Sequence, residues 1–243
     1  MTNYTQWKSL VDLHEYSAIP DAVESQWLST GFADPWPAEI SDIDIIHSGQ
    51  FSQTTIDNVD AVDTNGERGT ASGPEQLLKQ EQFAVAYTVA YDSGGDFNYH
   101  NGFRDDDGTG ARFGTDGNQG GLRCEIRDDS GNTIDLRTGD NGYDDGLLRL
   151  VIWSKSGDSE SETDLYVGST ESDMEDAVSV SDSGDGASFD HEDVSLDIDY
   201  GVGGPEGTGS NISHETTFYE FWFGGVPDES ERKAMIDRVP ALG

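Results

Sequence analysis

The chain has few basic residues for its length. Only 13 lysines and arginines stand against 49 aspartates and glutamates in 243 residues, which gives a formal net charge of −36 at pH 7. Four of these 13 basic residues are lysines and nine are arginines. The acidic residues are spread along the whole chain, so we expect a halophilic protein whose charges repel one another in dilute buffer. We expect no nucleic-acid partner, because phosphates would be repelled.

Cysteine and long apolar runs are also scarce. The single cysteine, Cys124, excludes an internal disulfide. It lies in a strand-like segment, so we expect a buried structural thiol and not a reactive one. No apolar run approaches the ~20 residues that cross a bilayer, which predicts no membrane insertion. The first residues lack the basic and apolar regions of a secretory signal, and we expect none.

Short segments with alternating side chains indicate an all-β fold. In the segment FAVAYTVAY, large residues alternate with alanine and threonine, which predicts a strand packed between two layers. The segment LLRLVIWSKSGDSESETDLYVGS predicts a hairpin with a buried first strand. Further strands are predicted over residues 97–103, 111–115, 121–127, 133–137, 194–200 and 216–223. Such regularly spaced short strands are typical of a sandwich or barrel.

Both ends of the chain carry a signal for a short helix. Asp21 with Glu24, and Asp228 with Glu231, match the capping box that begins many helices. We therefore expect one helix near residues 22–28 and a second helix of two to three turns that begins after Asp228.

The composition also suggests how the chain divides. Residues 1–30 are predicted to form an N-terminal arm that docks on a partner or folds back on the domain. Residues 31–243 are predicted to form the domain itself. Trp36 lies between two prolines, which exclude a central strand there, and we expect its ring to close one end of the core.

The order of these segments resembles the concanavalin A-like lectin/glucanase superfamily, in its laminin-G-like branch. The matching segments are FAVAYTVAY, then the buried strand with LYVGS, then SLDIDYGVG, and finally FYEFWFGGVPDESERKAMI. The resemblance covers residues 40–239 and implies a jelly-roll of two antiparallel sheets, one of them concave. The acidity and the Ile-Pro-Asp turn at residues 19–21 also resemble short lectin-like proteins of halophilic archaea and their tailed viruses.

The sequence lacks the motifs of the enzymes that share this fold. Glucanases of the superfamily carry Glu-x-Asp-x-Glu on one strand, which places carboxylates about 5 Å apart on one face. Here Asp197 and Asp199 alternate with no glutamate beside them. The five histidines have no metal-ligand spacing, and no nucleophile elbow or nucleotide-binding loop occurs. We therefore expect a non-enzymatic protein that requires no cofactor.

Two oxygen-rich loops are candidates for a structural Ca²⁺ or another cation. One contains Asp105, Asp106 and Asp107, and the other contains Asp182 and Asp185. Neither has the spacing of an EF-hand. On so acidic a chain the alternative is that both loops simply face solvent.

Arginines are concentrated in the middle of the chain. Six of the nine are Arg104, Arg112, Arg123, Arg127, Arg137 and Arg149. Arg123 and Arg127 have even spacing and share a strand face. The candidate ligand-binding residues of a groove for an acidic glycan or an acidic neighbouring subunit are Arg104, Arg123, Arg127, Tyr99, His100 and Tyr143. The alternative is that these arginines pair with local carboxylates.

These features lead to two functional hypotheses. The first is a virion structural protein of a halophilic tailed virus, a capsid turret or decoration or a tail fibre, whose lectin-like domain attaches to a host glycan or surface protein. It would assemble in the host cytoplasm and stand on the virion surface as a homo-oligomer, with its N-terminal arm on other virion proteins. The alternative is an extracellular carbohydrate-binding or adhesion domain of a haloarchaeal cell-surface protein.

The net charge generates a prediction about stability. Raising the KCl concentration from about 0.1 M to about 1 M shortens the Debye length from about 10 Å to about 3 Å, which screens the repulsion between carboxylates. We expect the thermal unfolding midpoint, followed by circular dichroism, to rise with KCl concentration while the spectrum stays dominated by strand. A midpoint that does not depend on KCl would contradict the halophilic interpretation.

Overall fold

The chain folds into facing antiparallel β-sheets, described here from a computed structural model. The structure describes residues 23–33, 36–39, 44–72, 74–92, 98–116, 120–139, 141–182, 188–195, 198–204, 206–207, 213–239 and 241–242. Strands β1 to β18 span, in chain order, Val23–Leu28, Trp36–Pro37, Asp44–Ile45, Ser52–Ile56, Val59–Asp63, Gly69–Ala71, Phe83–Val89, Tyr99–Arg104, Gly110–Asp116, Gly121–Arg127, Thr133–Arg137, Arg149–Lys155, Thr163–Gly168, Ser181–Asp182, Tyr200–Val202, Glu206–Gly207, Glu215–Thr216 and Phe218–Phe223. Helix α1 spans Glu229–Arg238, and 3₁₀-helices span Ser29–Gly31, Pro74–Lys79, Glu160–Glu162 and Glu171–Met174.

Two large sheets account for most of these strands. One has five strands in the order β1-β18-β7-β12-β13. The other has eight, in the order β14-β11-β10-β9-β8-β15-β6, with β16 paired in parallel to β8. Two small sheets, β17-β5-β4 and β2-β3, stand beside them. The all-β, two-sheet antiparallel jelly-roll sandwich predicted from the sequence is confirmed.

The main core lies between the two large sheets. Tyr87 and Phe221 enter it from the five-stranded sheet, and Phe113 and Leu122 enter it from the larger one. Burying one such side chain stabilises the fold by about 1.5–3 kcal/mol. Cys124 is fully buried here, and burial raises the pKa of its thiol. This placement confirms the predicted structural thiol.

A second, smaller core covers the other face of the five-stranded sheet. Ala84 and Ala86 of β7 face this core, where Met235 and Ile236 of helix α1 also lie. The alternation of large and small residues along FAVAYTVAY therefore does reflect a strand between two layers. Helix α1 begins with the predicted capping box, in which the Asp228 side chain accepts a hydrogen bond from the Glu231 N–H.

A buried ionic contact joins helix α1 to the sheet. The Glu220 carboxylate is fully buried beneath the helix, where it accepts hydrogen bonds from Trp222 Nε1 at 2.7 Å and from Arg238 Nη2 at 3.1 Å. Gln26 of β1 also donates to it. Burial raises the pKa of Glu220, and the Arg238 charge opposes that shift. The contact fixes the helix over the sheet.

The predicted N-terminal helix is wrong, because the described part of that segment is strand β1. Val23–Leu28 pairs with β18, with Trp27 opposite Tyr219. The Trp27 ring packs edge-on against Phe221 at 5.6 Å in the main core. Pairing with β18 and burial of this ring outweigh the local capping signal. Residues 1–22 lie outside the described residues, so the docking role of the arm stays a prediction.

Two other expectations have different outcomes. Trp36 is fully buried, and its Nε1 donates to Leu28 O at 2.9 Å, so its predicted place in the core is confirmed. The strand predicted over residues 194–200 is wrong in its position, because strand β15 begins only at Tyr200.

Within the described residues, no helix has the length and hydropathy that crossing a membrane requires.

Candidate arginine-lined binding face

Strands β8 to β11 turn one face toward the core and the other away from it. Side chains alternate along a strand, so polar residues and glycines occupy the face turned away. The strand registers align these residues in three rows across the four strands: Tyr99, Gly114, Arg123 and Arg137; Gly102, Arg112, Glu125 and Asp135; Arg104, Gly110, Arg127 and Thr133. We call these twelve positions the arginine face.

Glycines on this face bring neighbouring strands close together. A Cβ atom on Gly114 would lie 2.1 Å from Asn98 O, and one on Gly110 would lie 2.2 Å from Phe103 O. Real Cβ atoms do not approach an oxygen so closely, so these positions require glycine. The missing side chains also leave room for the long arginines of the adjacent strands.

Glu125 lies at the centre of the arginine face and accepts three charged hydrogen bonds. Its Oε1 accepts from Arg104 Nη1 at 2.9 Å and from Arg112 Nη2 at 2.6 Å. Its Oε2 accepts from Arg123 Nη2 at 2.6 Å. Only 9% of the Glu125 side chain is exposed, so the three guanidinium groups replace the water that a carboxylate would otherwise bind.

Asp135, the neighbour of Glu125 on β11, is held in the same way. It accepts from Arg123 Nε at 2.8 Å and from Arg137 Nη2 at 2.8 Å. Burial opposes its charge, but these bonds outweigh burial and lower the pKa of Asp135 to about 2. Tyr99 contacts two of these arginines. Its hydroxyl accepts a hydrogen bond from Arg123 Nη1 at 3.0 Å, and its ring centroid lies 4.4 Å from Arg112 Cζ.

The arginine face carries a surplus of positive charge. It carries five guanidinium groups, four of which contact the carboxylates of Glu125 and Asp135, and Asp116 Oδ1 lies 3.8 Å from Arg137 Nη1. Five positive charges against three negative ones leave a local excess on a chain whose net charge is −36. Such an excess attracts anionic groups.

Arg127 differs from the other four arginines of the face. Within the described residues it makes no hydrogen bond or ion pair, and its Nε is buried without a hydrogen-bond partner. Its guanidinium lies close to that of Arg104. A Cβ atom placed on Gly108 would lie 3.1 Å from Arg104 Nη2 and 3.1 Å from Arg127 Nη1. Burial, Arg112 and Arg127 lower the pKa of Arg104.

The arginines predicted to line a groove therefore fall into two groups, according to whether the described residues provide a carboxylate partner. Arg104, Arg123 and Arg127 do share one face with Tyr99, as the sequence predicted. The alternative, pairing with local carboxylates, also holds for Arg104 and Arg123. Arg127 is the one candidate arginine for which the described residues provide no carboxylate partner.

Two of the predicted ligand-binding residues lie elsewhere, which corrects the sequence-based groove. His100 is fully buried on the opposite side of its strand, with its ring 5.0 Å from Tyr91 and 5.0 Å from His214. A register shift between residues 99 and 101 places it there. Tyr143 lies against Arg149, with the guanidinium 5.5 Å from the ring centroid.

Within the described residues, the aspartates of the two predicted cation loops do not converge on a metal site. Asp105 closes the β8–β9 turn, where its Oδ1 accepts from the Thr109 N–H at 2.8 Å. Asp106 and Asp107 are exposed in the same turn. Asp185 and the side chain of Asp182 lie outside the described residues. Cation binding by either loop stays a prediction.

Three possible metal ligands do converge at another place, which the sequence did not indicate. Ligand atoms of Asp158, Asp190 and His191 all lie within 4.8 Å of one another. The fully buried Lys155 ammonium donates to Asp158 Oδ1 at 2.6 Å and therefore already balances the charge of that carboxylate. This contact is a structural ion pair between a strand and the loop that follows it.

A separate cavity of about 320 Å³ lies beside the end of β7. Its lining includes Asp63, Tyr91, Asp92, His214 and Glu215. Burial, and then the charges of Asp63 and Asp92, raise the pKa of Glu215. With three carboxylates at its wall, this cavity is unsuited to an anionic ligand.

Sequence reasoning missed the carboxylates that organise the arginine face. Glu125 lies midway between Arg123 and Arg127, and Asp135 lies two residues before Arg137. The same even spacing that placed the arginines on one face also places these carboxylates between them. The acidic residues are so numerous, however, that spacing alone did not single these two out.

Comparisons with known proteins identify solved structures that have a similar fold. No protein-family model matches the chain, and no curated protein matches it. The binding domain of botulinum neurotoxin serotype D matches with a TM-score of 0.64 at 11% identity, over 91% of this chain and 53% of that one. The same serotype's ligand-binding domain, solved with N-acetylneuraminic acid, matches with a TM-score of 0.60 at 10% identity, over 90% and 51%.

A third similar structure is shorter. Domain 4 of AbnA, an extracellular GH43 arabinanase of Geobacillus stearothermophilus solved with arabinotriose, matches with a TM-score of 0.59 at 12% identity, over 88% of this chain and 98% of that domain. The chain spans only about half the length of the neurotoxin chains, 53% and 51%. At such identities the similarity shows the fold alone, a β-sandwich.

The Asp135 contacts generate a prediction about pH. Because its folded pKa is about 2 and its ordinary value is 3.8, its contribution to stability is present above pH 3.8 and is lost as the pH falls toward 2. We expect Asp135→Asn to lower the free energy of unfolding at neutral pH by roughly 2 kcal/mol. The loss should shrink between about pH 4 and pH 2 in urea titrations.

Asp106→Asn, in the exposed β8–β9 turn, is the matched control. It removes one carboxylate from the same part of the sheet without removing a contact to an arginine. If both variants lost stability equally across that pH range, the ion pairs of Asp135 would not be its cause.

Proposed function

We propose that the protein is a non-enzymatic carbohydrate-binding domain whose arginine face recognises a glycan with acidic groups. The observation that carries this proposal is the excess of guanidinium charge on one sheet face of a chain with net charge −36. Guanidinium groups bind carboxylates and sulfates with paired hydrogen bonds. Similar folds solved with arabinotriose and with N-acetylneuraminic acid support a sugar as ligand.

The state of the carboxylates on this face supports a binding role without catalysis. A retaining glycosidase requires a pair of carboxyl groups about 5 Å apart, one of which stays protonated as a general acid. Glu125 accepts hydrogen bonds from three arginines. The arginines beside Asp135 lower its pKa to about 2, the opposite of what a general acid needs.

The proposed place of action is the surface of a virion. In this proposal the domain stands on the capsid or tail of a halophilic tailed virus and attaches the particle to acidic glycans of its host. The acidic composition and the resemblance to lectin-like proteins of such viruses support it. A haloarchaeal cell-surface adhesion domain is the alternative, since it would use the same face for the same chemistry.

The proposed ligand class is testable by comparing two sugars. N-acetylneuraminic acid carries a carboxylate, whereas arabinotriose is neutral. In about 1 M KCl, where long-range attraction is screened, we expect saturation-transfer NMR to detect binding of the acidic sugar and not of the neutral one. Oligosaccharides with uronic acid or sulfate ester groups extend the test. Failure of every acidic sugar to bind would contradict the proposal.

The proposed location requires a different measurement. We expect mass spectrometry of purified virus particles from halophilic hosts to detect peptides of this chain in a fixed ratio to the major capsid protein. Recovery of the chain in the cell-envelope fraction, and not in particles, would contradict the virion role and support the adhesion alternative.

A further inference from the structure

We propose that Arg104 and Arg127 form an oxyanion subsite at one corner of the arginine face, which takes the carboxylate or sulfate ester group of an acidic sugar. This inference rests on the proposed function. It adds which residues contact the ligand, and it separates them from the arginines that only hold the face together.

Arg127 provides the first argument, because the described residues give its guanidinium no counter-ion. Each of the other four arginines of the face donates to Glu125 or Asp135, whereas the part of the chain that the structure describes offers Arg127 no carboxylate. Its Nε is also buried and has no hydrogen-bond partner among those residues. A buried donor without an acceptor costs free energy, and a bound anion would remove that cost.

Arg104 supplies a second guanidinium at the same corner. Its Nη1 donates to Glu125 at 2.9 Å, while its Nη2 faces the space above Gly108. Arg127 Nη1 borders that same space, and Arg127 Nη2 lies 3.2 Å from the position of a Cβ atom on Gly131. Because Gly108 has no side chain, it leaves a gap that both guanidinium groups border, and Gly131 leaves space beside Arg127 alone.

The gap is accessible, unlike the centre of the arginine face. The Arg104 side chain is 22% exposed, whereas Arg112 and Arg123 side chains are each 10% exposed and are engaged with carboxylates. A ligand can therefore reach the corner without breaking the contacts at the centre. Arg123, which the sequence suggested as a ligand contact, is instead a positioning residue that braces Glu125 and Asp135.

The chemistry of the two groups selects the ligand. Two adjacent guanidinium groups repel each other, and an anion with two or more oxygens accepts hydrogen bonds from both and relieves the repulsion. In brine the Debye length is about 3 Å at 1 M salt, so only groups in direct contact contribute. A carboxylate and a sulfate ester both meet this requirement, and a neutral hydroxyl does not.

Three sugars that differ at one position test the subsite. Galactose, galacturonic acid and galactose 6-sulfate share a ring and carry a hydroxyl, a carboxylate or a sulfate ester at carbon 6. In titrations in about 1 M KCl, we expect the two acidic sugars to shift the ¹⁵N Nε–Hε NMR signal of Arg127. Galactose should leave that signal unchanged. The relative affinities of the two acidic sugars decide between carboxylate and sulfate.

Two substitutions separate the subsite from the rest of the face. Arg127→Ala should weaken binding of the preferred acidic sugar roughly 10-fold or more, since it removes charge-assisted hydrogen bonds. Arg127→Lys keeps the charge but not the paired donors, so we expect intermediate affinity. Arg149→Ala is the matched control, because Arg149 pairs with Asp145 on the other large sheet.

The possible outcomes distinguish this inference from the proposed function. If the unsubstituted protein binds an acidic sugar and Arg127→Ala binds it equally well, the subsite is wrong and the proposed function stands. If the unsubstituted protein binds no acidic sugar, both are wrong. Thermal unfolding of each variant shows whether a lost affinity reflects lost folding.

Discussion

The alternation of side chains along β10 is the constraint on which both the core and the binding face depend. Cys124 and Ile126 enter the main core, while Arg123, Glu125 and Arg127 lie on the opposite side of the same strand. A shift of one residue in its register would exchange these two sets and bury three charges in the apolar layer. The hydrophobic packing therefore also determines on which face of the sheet the guanidinium groups lie.

Several of the scarce basic residues of this acidic chain lie beside buried carboxylates. Arg123 pairs with Glu125 and Asp135 on the larger sheet, and Arg238 pairs with Glu220 beneath helix α1. Removing one partner of such a pair leaves an uncompensated buried charge, which costs more than an exposed pair contributes. Salt can screen the exposed carboxylates from one another, but a buried carboxylate needs a partner within the protein. This difference explains why Arg123 and Arg238 lie beside buried carboxylates.

The sequence predicted the fold better than the site, for a physical reason. Side-chain alternation is a local property, so strand β7 and the capping box of helix α1 were readable from the sequence. Strand β1 was not, because its pairing with β18 joins residues that are far apart in the chain. The shared face of Arg123 and Arg127 followed from spacing alone. The burial of His100 depends on a register shift that composition does not reveal. That the described residues give Arg127 no carboxylate partner depends on where each nearby carboxylate lies.

Helix α1 packs on one of the two large sheets, and this packing determines which positions of the chain can accept substitutions. Ala84 and Ala86 lie beneath helix α1, so larger residues there would displace the helix and loosen a packed layer. The polar face of β8 to β11 has no helix of the described residues packed on it, so we expect substitutions at its edge, apart from Gly110, to leave both cores intact. Related proteins should therefore diverge most at that edge, while the strand beneath the helix retains its small side chains.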